Sequence, residues 1–239
     1  MRYLIWDFDG TLGYREGGMW TGTLLEIVTE ACPELGVTAE QLKRHLQVGY
    51  PWHTPERPHP ELTTAEAWWD ALMPVLQQAL CAVGVPEERA GLLVRQFPAR
   101  YTELSRWRLY PDSLPMLATL SAAGWQHLLL SNHVPELPAI IDHLALRPHL
   151  IALFNSAQTG YEKPHPQAFR LVLDYIGPAE SVWMIGDNYT ADVRGVEAVG
   201  IPGILVRKTH PEASYACAEL SALAPILTRN LAGDRGGAG

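Results

Sequence analysis

Two carboxylates stand two residues apart where the first apolar segment ends, in Trp6-Asp7-Phe8-Asp9-Gly10-Thr11. Residues two apart on an extended chain point to the same side, so Asp7 and Asp9 would share one face. At about 4 Å and an effective dielectric constant near ~20, two like charges repel by roughly 4 kcal/mol. A cation, a shared proton or a turned side chain relieves that repulsion. The pattern predicts a cation site, or else an ordinary strand-ending turn rich in Asp and Gly.

A hydroxyl and an amide follow a second apolar segment, in Leu128-Leu129-Leu130-Ser131-Asn132-His133. A helix is expected to begin near Pro135, and the N–H groups at a helix start favour an anion. Taken alone, Ser131 or Asn132 could equally be an ordinary helix cap. We interpret His133 as a loop histidine.

Two further polar groups follow later apolar segments. Lys163 is one of three lysines in a chain with fifteen arginines, and it lies in a proline-constrained loop before a strongly periodic helix. The other is a second pair of carboxylates, Asp187 and Asp192, after the segment that ends at Gly186. Each has an ordinary alternative, since a loop lysine is often just solvated and Asp192 could complement a helix dipole.

The segments that precede these groups predict strands. Short apolar runs without alternation are typical of strands that are covered on both faces. They are residues 2–6, Gln126–Leu130, Leu150–Phe154, Ser181–Ile185 and Gly203–Val206, and helical patterns at Pro166–Ile176 and Thr190–Val199 separate the later ones. Strand and helix in alternation predict an α/β fold, a doubly wound, Rossmann-like parallel sheet.

About 120 residues between the first and second runs interrupt that alternation. Their patterns predict four helices, at Thr23–Ala31, Thr38–Val48, Thr64–Val83 and Pro86–Trp107. We therefore expect residues 1–13 and 109–230 to form the core, 14–108 an inserted all-helical domain, and 231–239 a flexible tail. The loop of residues 49–63 carries four prolines. It is either a stiff surface connection or a binding loop.

The polar groups converge in this fold, because open parallel sheets bind ligands at the carboxyl ends of their strands. Asp7, Ser131 and Asp187 each follow a predicted strand, and Lys163 lies in a comparable loop. Oxygen ligands of this kind suit a hard cation such as Mg²⁺, which often bridges to phosphate. Carboxylates, a hydroxyl, an ammonium and Mg²⁺ together predict a site for a phosphoryl group.

The composition limits the partners. The chain has 18 Lys and Arg against 26 Asp and Glu, a net charge of −8, and no basic run, which argues against nucleic acid. Its 239 residues are 47% hydrophobic, as expected for an ordered globular protein, and contain no apolar segment of membrane-spanning length. Three scattered cysteines and no leader-like N-terminus predict a cytoplasmic protein without a membrane partner. The sequence leaves the oligomeric state open.

The ordered set Asp-x-Asp-Gly-Thr, apolar run with Ser-Asn, Lys-Pro and Gly-Asp-x-x-x-x-Asp resembles the haloacid dehalogenase superfamily. The insertion is similar to the helical cap of its phosphoglycolate-phosphatase and β-phosphoglucomutase type. The resemblance implies that Asp7 is a nucleophile that becomes an aspartyl phosphate, and that Asp9 is the general acid and base. Dehalogenase members lack the second aspartate of the first motif and need no metal, so the presence of Asp9 favours phosphate transfer.

The same resemblance implies the remaining site residues. Mg²⁺ would be held by Asp7, the backbone carbonyl of Asp9 and Asp187, with Asp192 in support. The groups expected to bind the phosphoryl oxygens are Gly10, Thr11, Ser131, Asn132 and Lys163. The cap residues expected to contact the leaving group are Arg15, Trp20, Tyr50, Trp52 and His53.

The expected function is Mg²⁺-dependent hydrolysis of a phosphomonoester, with a small soluble metabolite as the substrate. A nucleotide, phosphoglycolate and a sugar phosphate all remain candidates for it. Two alternatives stay open. One is a phosphosugar mutase on the same scaffold, and the other is a non-enzymatic phospho-receiver or binding module, since receivers also place acidic residues, Lys and Ser or Thr around Mg²⁺.

Overall fold

The computed structural model describes residues 1–233, which contain eight strands. In chain order these are β1 (Arg2–Trp6), β2 (Gly13–Arg15), β3 (Trp107–Leu109), β4 (Trp125–Ser131), β5 (Ala152–Asn155), β6 (Ser181–Gly186), β7 (Gly203–Val206) and β8 (Ala216–Cys217). Six of them form one sheet in the order β5-β4-β1-β6-β7-β8, and every neighbouring pair is parallel. The predicted α/β fold with a parallel sheet is confirmed.

The described helices are α1 (Trp20–Ala31), α2 (Ala39–His45), α3 (Ala65–Ala82), α4 (Glu87–Val94), α5 (Phe97–Tyr101), α6 (Ser113–Ala122), α7 (Leu137–His143), α8 (Ser156–Thr159), α9 (Pro166–Ile176), α10 (Gly195–Glu197) and α11 (Leu223–Gly233). A π-helical turn, Tyr189–Arg194, runs directly into α10. No described helix combines the length and the apolar character that crossing a bilayer requires.

Both faces of the sheet are buried, as β1 illustrates. Tyr3 and Ile5 belong to a cluster that includes Phe169 and Val172 of α9. Leu4 and Trp6, on the other face, belong to the cluster that covers the opposite side of the sheet. A strand covered on both faces needs apolar residues at every position, which is why these strands appear in the sequence as continuous apolar runs.

A two-stranded ribbon leads the chain out of the sheet and back. β2 and β3 pair antiparallel, with Gly13 opposite Leu109 and Arg15 opposite Trp107. Helices α1 to α5 lie between these strands in the sequence, and their aromatic side chains pack on one another. Trp20 is central, with ring centroids of six other aromatic residues within 6.0 Å of it: Tyr50, Trp52, Trp68, Trp69, Phe97 and Tyr101.

Several predicted element boundaries differ from the structure. The single helix predicted over Pro86–Trp107 is wrong, because the chain forms α4 and α5 and then enters β3 at Trp107. Pro98 stands in the first turn of α5, where the missing N–H of proline leaves no hydrogen bond unmade. The tail predicted at 231–239 lies, beyond Gly233, outside the described residues.

Candidate active site

Three predicted site residues stand level with one another at one edge of the sheet. Asp7 directly follows β1, Ser131 is the last residue of β4, and Asp187 directly follows β6. Strand β1 lies between β4 and β6, and the Asp7 N–H donates to the Ile185 carbonyl oxygen at 2.9 Å. Here the connections leave the sheet in opposite directions, where open parallel sheets form ligand crevices. A cavity of about 390 Å³ opens at this point.

Asp7 is the centre of a hydrogen-bonded group. Its Oδ1 accepts from Ser131 Oγ at 2.8 Å and from Lys163 Nζ at 2.9 Å. All three side chains are buried, and Ser131 and Lys163 are only 1% and 2% exposed. Hydrogen bonds of this kind fix the direction of the Asp7 carboxylate.

Lys163 is held from its backbone as well as from its side chain. Asn132 donates from Nδ2 to the Lys163 carbonyl at 2.8 Å, and its Oδ1 accepts from the Lys163 N–H at 2.7 Å. Asn132 was predicted to bind phosphate, but here its amide joins the end of β4 to the loop of Lys163. The Lys163–Pro164 peptide bond is cis.

Asp192 is the second carboxylate on Lys163, with Nζ to Oδ1 at 2.6 Å. It lies fully buried on the π-helical turn, and its Oδ2 accepts from the Asn188 N–H at 2.9 Å. A Cβ on Gly186 would stand 2.1 Å from that Oδ2, so only glycine lets β6 approach so closely. Burial raises the pKa of Asp192, while the two carboxylates raise that of Lys163 despite its burial.

Oxygens of Asp7, Asp187 and Asp192 all lie within 4.8 Å of one another. Burial and the charge of Asp7 raise the pKa of Asp187, and Lys208 Nζ opposes that shift from 2.5 Å. Gly10 has a φ of +74°, and a Cβ there would stand 2.4 Å from Asp187 Oδ2. Carboxylate oxygens held together in this way are the ligands that a hard cation such as Mg²⁺ prefers, so the donor set fits the predicted metal.

Asp9 borders the same cavity and has an unsatisfied oxygen. Its Oδ1 is buried without a hydrogen-bond partner among residues 1–233, and its Oδ2 lies 3.3 Å from His133 Nε2, out of line for a hydrogen bond. The ring of His133 packs against Phe8 and Trp107, with centroids 5.7 and 5.2 Å away. His133 lies in the loop between β4 and α7, as predicted, and its side chain is only 3% exposed there.

In the turn after Asp9, backbone N–H groups donate hydrogen bonds to carbonyl groups of the same turn. The N–H of Gly10 donates to the Gly13 carbonyl at 2.9 Å, and that of Thr11 donates to the Phe8 carbonyl at 3.1 Å. The hydroxyl of Thr11 is buried and makes no hydrogen bond within the described part of the chain. These bonds shape the turn that carries Asp9, and neither Gly10 nor Thr11 lines the cavity. Phosphate binding by these two residues therefore stays a prediction without support from the geometry.

The inserted helical part supplies the opposite wall. Of the five cap residues expected to contact a leaving group, only Trp20 and Trp52 line the cavity, joined by Met19, Pro55 and Tyr101. Arg15 is buried beneath, where its guanidinium donates to the backbone carbonyls of Glu16, Gly18, Arg100 and Tyr101. Tyr50 packs under Trp52 and His53 is exposed, and neither lines this cavity.

The 49–63 loop is fixed to the loop that carries Lys163. The His59 N–H donates to the Gly160 carbonyl at 2.9 Å, and His59 Nε2 lies 3.1 Å from Glu162 Oε1. Both side chains are buried, and Pro60 lies so close to Gly160 that a Cβ there would be 3.1 Å from it. The proline-rich loop is therefore in part a rigid contact with the core and in part, through Trp52 and Pro55, a wall of the cavity.

Sequence reasoning missed four groups beside the site: His133, Tyr101, Lys208 and Glu162. A signal existed for Lys208, which comes two residues after β7 and so follows the same strand-end rule as Asp187. Tyr101 and Glu162 give no such signal, since their positions depend on how the insertion packs on the sheet. The site as a whole combines a fixed carboxylate, a buried ammonium and a cation-type oxygen cluster, which suits transfer of a phosphoryl group.

A family model described as a haloacid dehalogenase-like hydrolase matches residues 1–200. The phosphoserine phosphatase of Thermus thermophilus is 35% identical over 146 residues, which are 59% of this chain and 57% of that protein. The mouse haloacid dehalogenase-like hydrolase domain-containing protein 3 is 26% identical over 228 residues, 88% of this chain and 84% of that one. The matches to the first three curated relatives span only 57% to 59% of their lengths.

Solved structures share the fold at lower identity. The hydrolase YfnB from Bacillus subtilis, bound to magnesium, has a TM-score of 0.71 and 19% identity, covering 95% of this chain and 98% of that one. The L-2-haloacid dehalogenase from Xanthobacter autotrophicus has a TM-score of 0.67 and 21% identity, covering 97% and 99%.

Proposed function

Because the chain belongs to the haloacid dehalogenase-like hydrolases, we propose that it hydrolyses phosphate monoesters of a small metabolite with the help of Mg²⁺. The observation that carries the proposal is the setting of Asp7. One of its oxygens is held by Ser131 and Lys163, and in the described part of the chain the other oxygen accepts no hydrogen bond. A carboxylate fixed through one oxygen presents the other to a phosphorus atom.

The first displacement forms a bond from an Asp7 oxygen to phosphorus and breaks the bond from phosphorus to the alcohol oxygen. Asp9, which borders the cavity, gives its proton to that departing oxygen. In the second displacement Asp9 takes a proton from water as the water attacks phosphorus and frees Asp7. Asp9 can therefore act as the acid in the first displacement and as the base in the second, because the proton that it gives in the first step is recovered in the second.

Lys163 and Ser131 bind the phosphoryl oxygens in this scheme. The Lys163 ammonium already contacts both Asp7 and Asp192. It can therefore pair with negative charge on either carboxylate or on a bound phosphoryl group without leaving the site. Asn132 keeps the Lys163 backbone in place while that happens. Asp7, Asp187 and the backbone carbonyl of Asp9 would hold Mg²⁺, with Asp192 beside them. The ion would offset the repulsion between a carboxylate and a dianionic ester.

The fold supports a division of labour between two parts of the chain. We assign residues 1–13 and 109–230 to the catalytic core and 14–108 to a helical cap, joined by the β2–β3 ribbon. The relatives support a small phosphorylated substrate, since one of them is a phosphoserine phosphatase. With the cap over the cavity, water is excluded during the first displacement, which protects the intermediate from premature loss.

The test is inorganic phosphate release from a panel of phosphomonoesters, with and without Mg²⁺, for the wild type and Asp7→Asn. We expect Mg²⁺-dependent release that falls by roughly a thousandfold or more in the variant, because asparagine keeps an oxygen for Ser131 and Lys163 but is not a nucleophile. Asp174→Asn, on the exposed face of α9, is the matched control and should keep full activity. Equal release by Asp7→Asn and wild type would refute the mechanism.

A further inference from the structure

The two walls of the cavity differ in chemistry. The wall from the core carries the acidic and basic side chains, among them Asp7, Asp187 and Lys163. The wall from the cap consists of Met19, Trp20, Trp52, Pro55 and Tyr101, none of which is charged. The phosphoryl group belongs at the wall from the core, so the uncharged wall from the cap faces the leaving group.

No arginine or lysine of the cap reaches this wall within the described residues. The Arg15 guanidinium lies behind this wall, 5.8 Å from the ring centroid of Tyr101. Four backbone carbonyls and Glu26 already occupy it. Lys163 is shared between two carboxylates. A carboxylate on the leaving group would therefore lose its water without gaining a counter-charge, which is unfavourable.

The aromatic rings of the wall are fixed against one another. Trp20 stacks on Tyr101 with centroids 4.6 Å apart, and Trp52 stacks on Tyr50 at 4.7 Å and 14°. Trp20 and Trp52, 5.4 Å apart, are only half-buried, so part of each indole remains free to face a ligand. Flat, rigid surfaces of this kind bind planar apolar groups with little loss of conformational entropy.

We propose that the leaving group is uncharged and carries a flat ring, which stacks on Trp52 and Trp20 when the ester is bound. This proposal rests on the proposed function, since it names the alcohol that the same hydrolysis releases: R–O–phosphate and water give R–OH and inorganic phosphate. An aryl-bearing alcohol and a nucleoside share this chemistry. At about 390 Å³ the cavity is near the lower end of ligand pockets, roughly 300–1,000 Å³, and suits one such group.

A quaternary ammonium group also binds aromatic rings, but it is held best by rings that surround it. Here Trp20 lies against both Trp52 and Tyr101, so these rings form one continuous wall, and no cap carboxylate among the described residues lines the cavity. This arrangement favours a neutral ring over a cation.

The experiment compares kcat/KM for esters of unactivated alcohols, so that the leaving oxygens are similar in acidity. 2-Phenylethyl phosphate and uridine 5′-monophosphate represent the two sources of a flat ring. Ethyl phosphate has no ring, and O-phosphoserine, phosphoglycolate and phosphocholine add charge. We expect one or both ring esters to exceed all the others by about tenfold or more, a factor in the range of one aromatic stacking contact. Preference for a charged ester would overturn the proposal, and the identity of the better ring ester would assign its source.

Variants of Trp52 test whether the wall itself is responsible. Trp52→Ala should lower kcat/KM for the preferred ring ester by about tenfold more than it lowers kcat/KM for ethyl phosphate, while Trp52→Phe should keep most of the wild-type value. Tyr175→Ala removes an aromatic side chain that is 58% exposed on α9, and it should leave kcat/KM unchanged for both esters. Equal losses for the ring ester and ethyl phosphate in Trp52→Ala would contradict stacking.

A binding measurement keeps this proposal separate from the proposed function. Calorimetric titration with 2-phenylethylphosphonate and ethylphosphonate, which cannot be hydrolysed, reports on the wall alone. If no ester is hydrolysed but the phenylethyl compound binds about tenfold more tightly and loses that advantage in Trp52→Ala, the hydrolase proposal fails and the ring site stands. If esters are hydrolysed but the two phosphonates bind equally, the ring site fails and the hydrolase proposal stands.

Discussion

His127 lies in β4 beneath the site, and its protonation is expected to weaken the fold at mildly acidic pH. Its Nδ1 accepts a hydrogen bond from Trp6 Nε1 at 2.9 Å, and its Nε2 lies 3.1 Å from the Leu117 carbonyl oxygen. The neutral ring therefore carries its proton on Nε2. A second proton on Nδ1 would remove the acceptor of Trp6, whose neighbour Asp7 is the proposed nucleophile.

The size of the effect follows from the pKa of His127. Burial lowers it from 6.5 to about 4, although the bond to Leu117 opposes the shift. Between these two pKa values the unfolded chain binds a proton that the native protein does not, so the free energy of unfolding falls as the pH falls. At about 1.4 kcal/mol per pKa unit the whole difference is about 3 kcal/mol, of which about 2 kcal/mol is lost between about pH 7.5 and about pH 5.

The assay is urea unfolding of the wild type and of His127→Asn at those two pH values. Asparagine can still accept from Trp6 but does not titrate, so the wild type should lose about 2 kcal/mol more than the variant on acidification. His45→Asn, at the exposed end of α2, should follow the wild type. If wild type and His127→Asn lose the same stability, the assignment of a neutral, bonded ring is refuted.

The remaining predictions concern the residues that position the site. Gly186→Ala would put a Cβ 2.1 Å from Asp192 Oδ2, so we expect urea unfolding to show a loss of about 1–3 kcal/mol and phosphate release to fall with it. The control is Gly91→Ala in α4, where a Cβ would stand 3.4 Å from Gln77. Its free energy of unfolding should stay the same or rise by up to about 1 kcal/mol. A loss of stability in Gly91→Ala as large as that in Gly186→Ala would remove the steric argument. Asn132→Ala removes both hydrogen bonds to the Lys163 backbone, and we expect kcat to fall by roughly ten- to a hundredfold with the same unfolding midpoint. An unchanged kcat would show that the loop needs no such support.

The sheet and its catalytic edge could be predicted because each left a local trace in the sequence. Strands buried on both faces require apolar residues throughout, and α9 was predicted with its observed bounds from one apolar stripe behind Pro166. Asp7, Ser131 and Asp187 could be assigned to one edge because parallel strands end together. Lys163 could be identified because it lies in a proline-constrained loop and because lysine is rare in this chain. Its contact with Asp192 could not be predicted.

What the sequence did not reveal depends on contacts between distant segments. β3 has three residues, and its pairing with β2 joins positions more than ninety apart, so Trp107 was assigned to a helix. The role of Asn132 depends on the loop that reaches it from residue 163. The sequence pattern over Thr190–Val199 predicts an ordinary helix, whereas its first part is the π-helical turn that carries the buried Asp192.

The contact between His59 and Glu162 has a consequence for opening of the cavity. A rigid swing of the helical part away from the sheet would separate these two buried side chains and break the backbone bond from His59 to Gly160. Each separated polar group would need a new partner, so such a swing is uphill until water reaches both. A hydrogen bond from Trp69 Nε1 to Glu136 Oε1, at 2.9 Å, joins the same two parts of the chain. Admitting an ester or releasing an alcohol through such a swing would therefore require breaking both contacts.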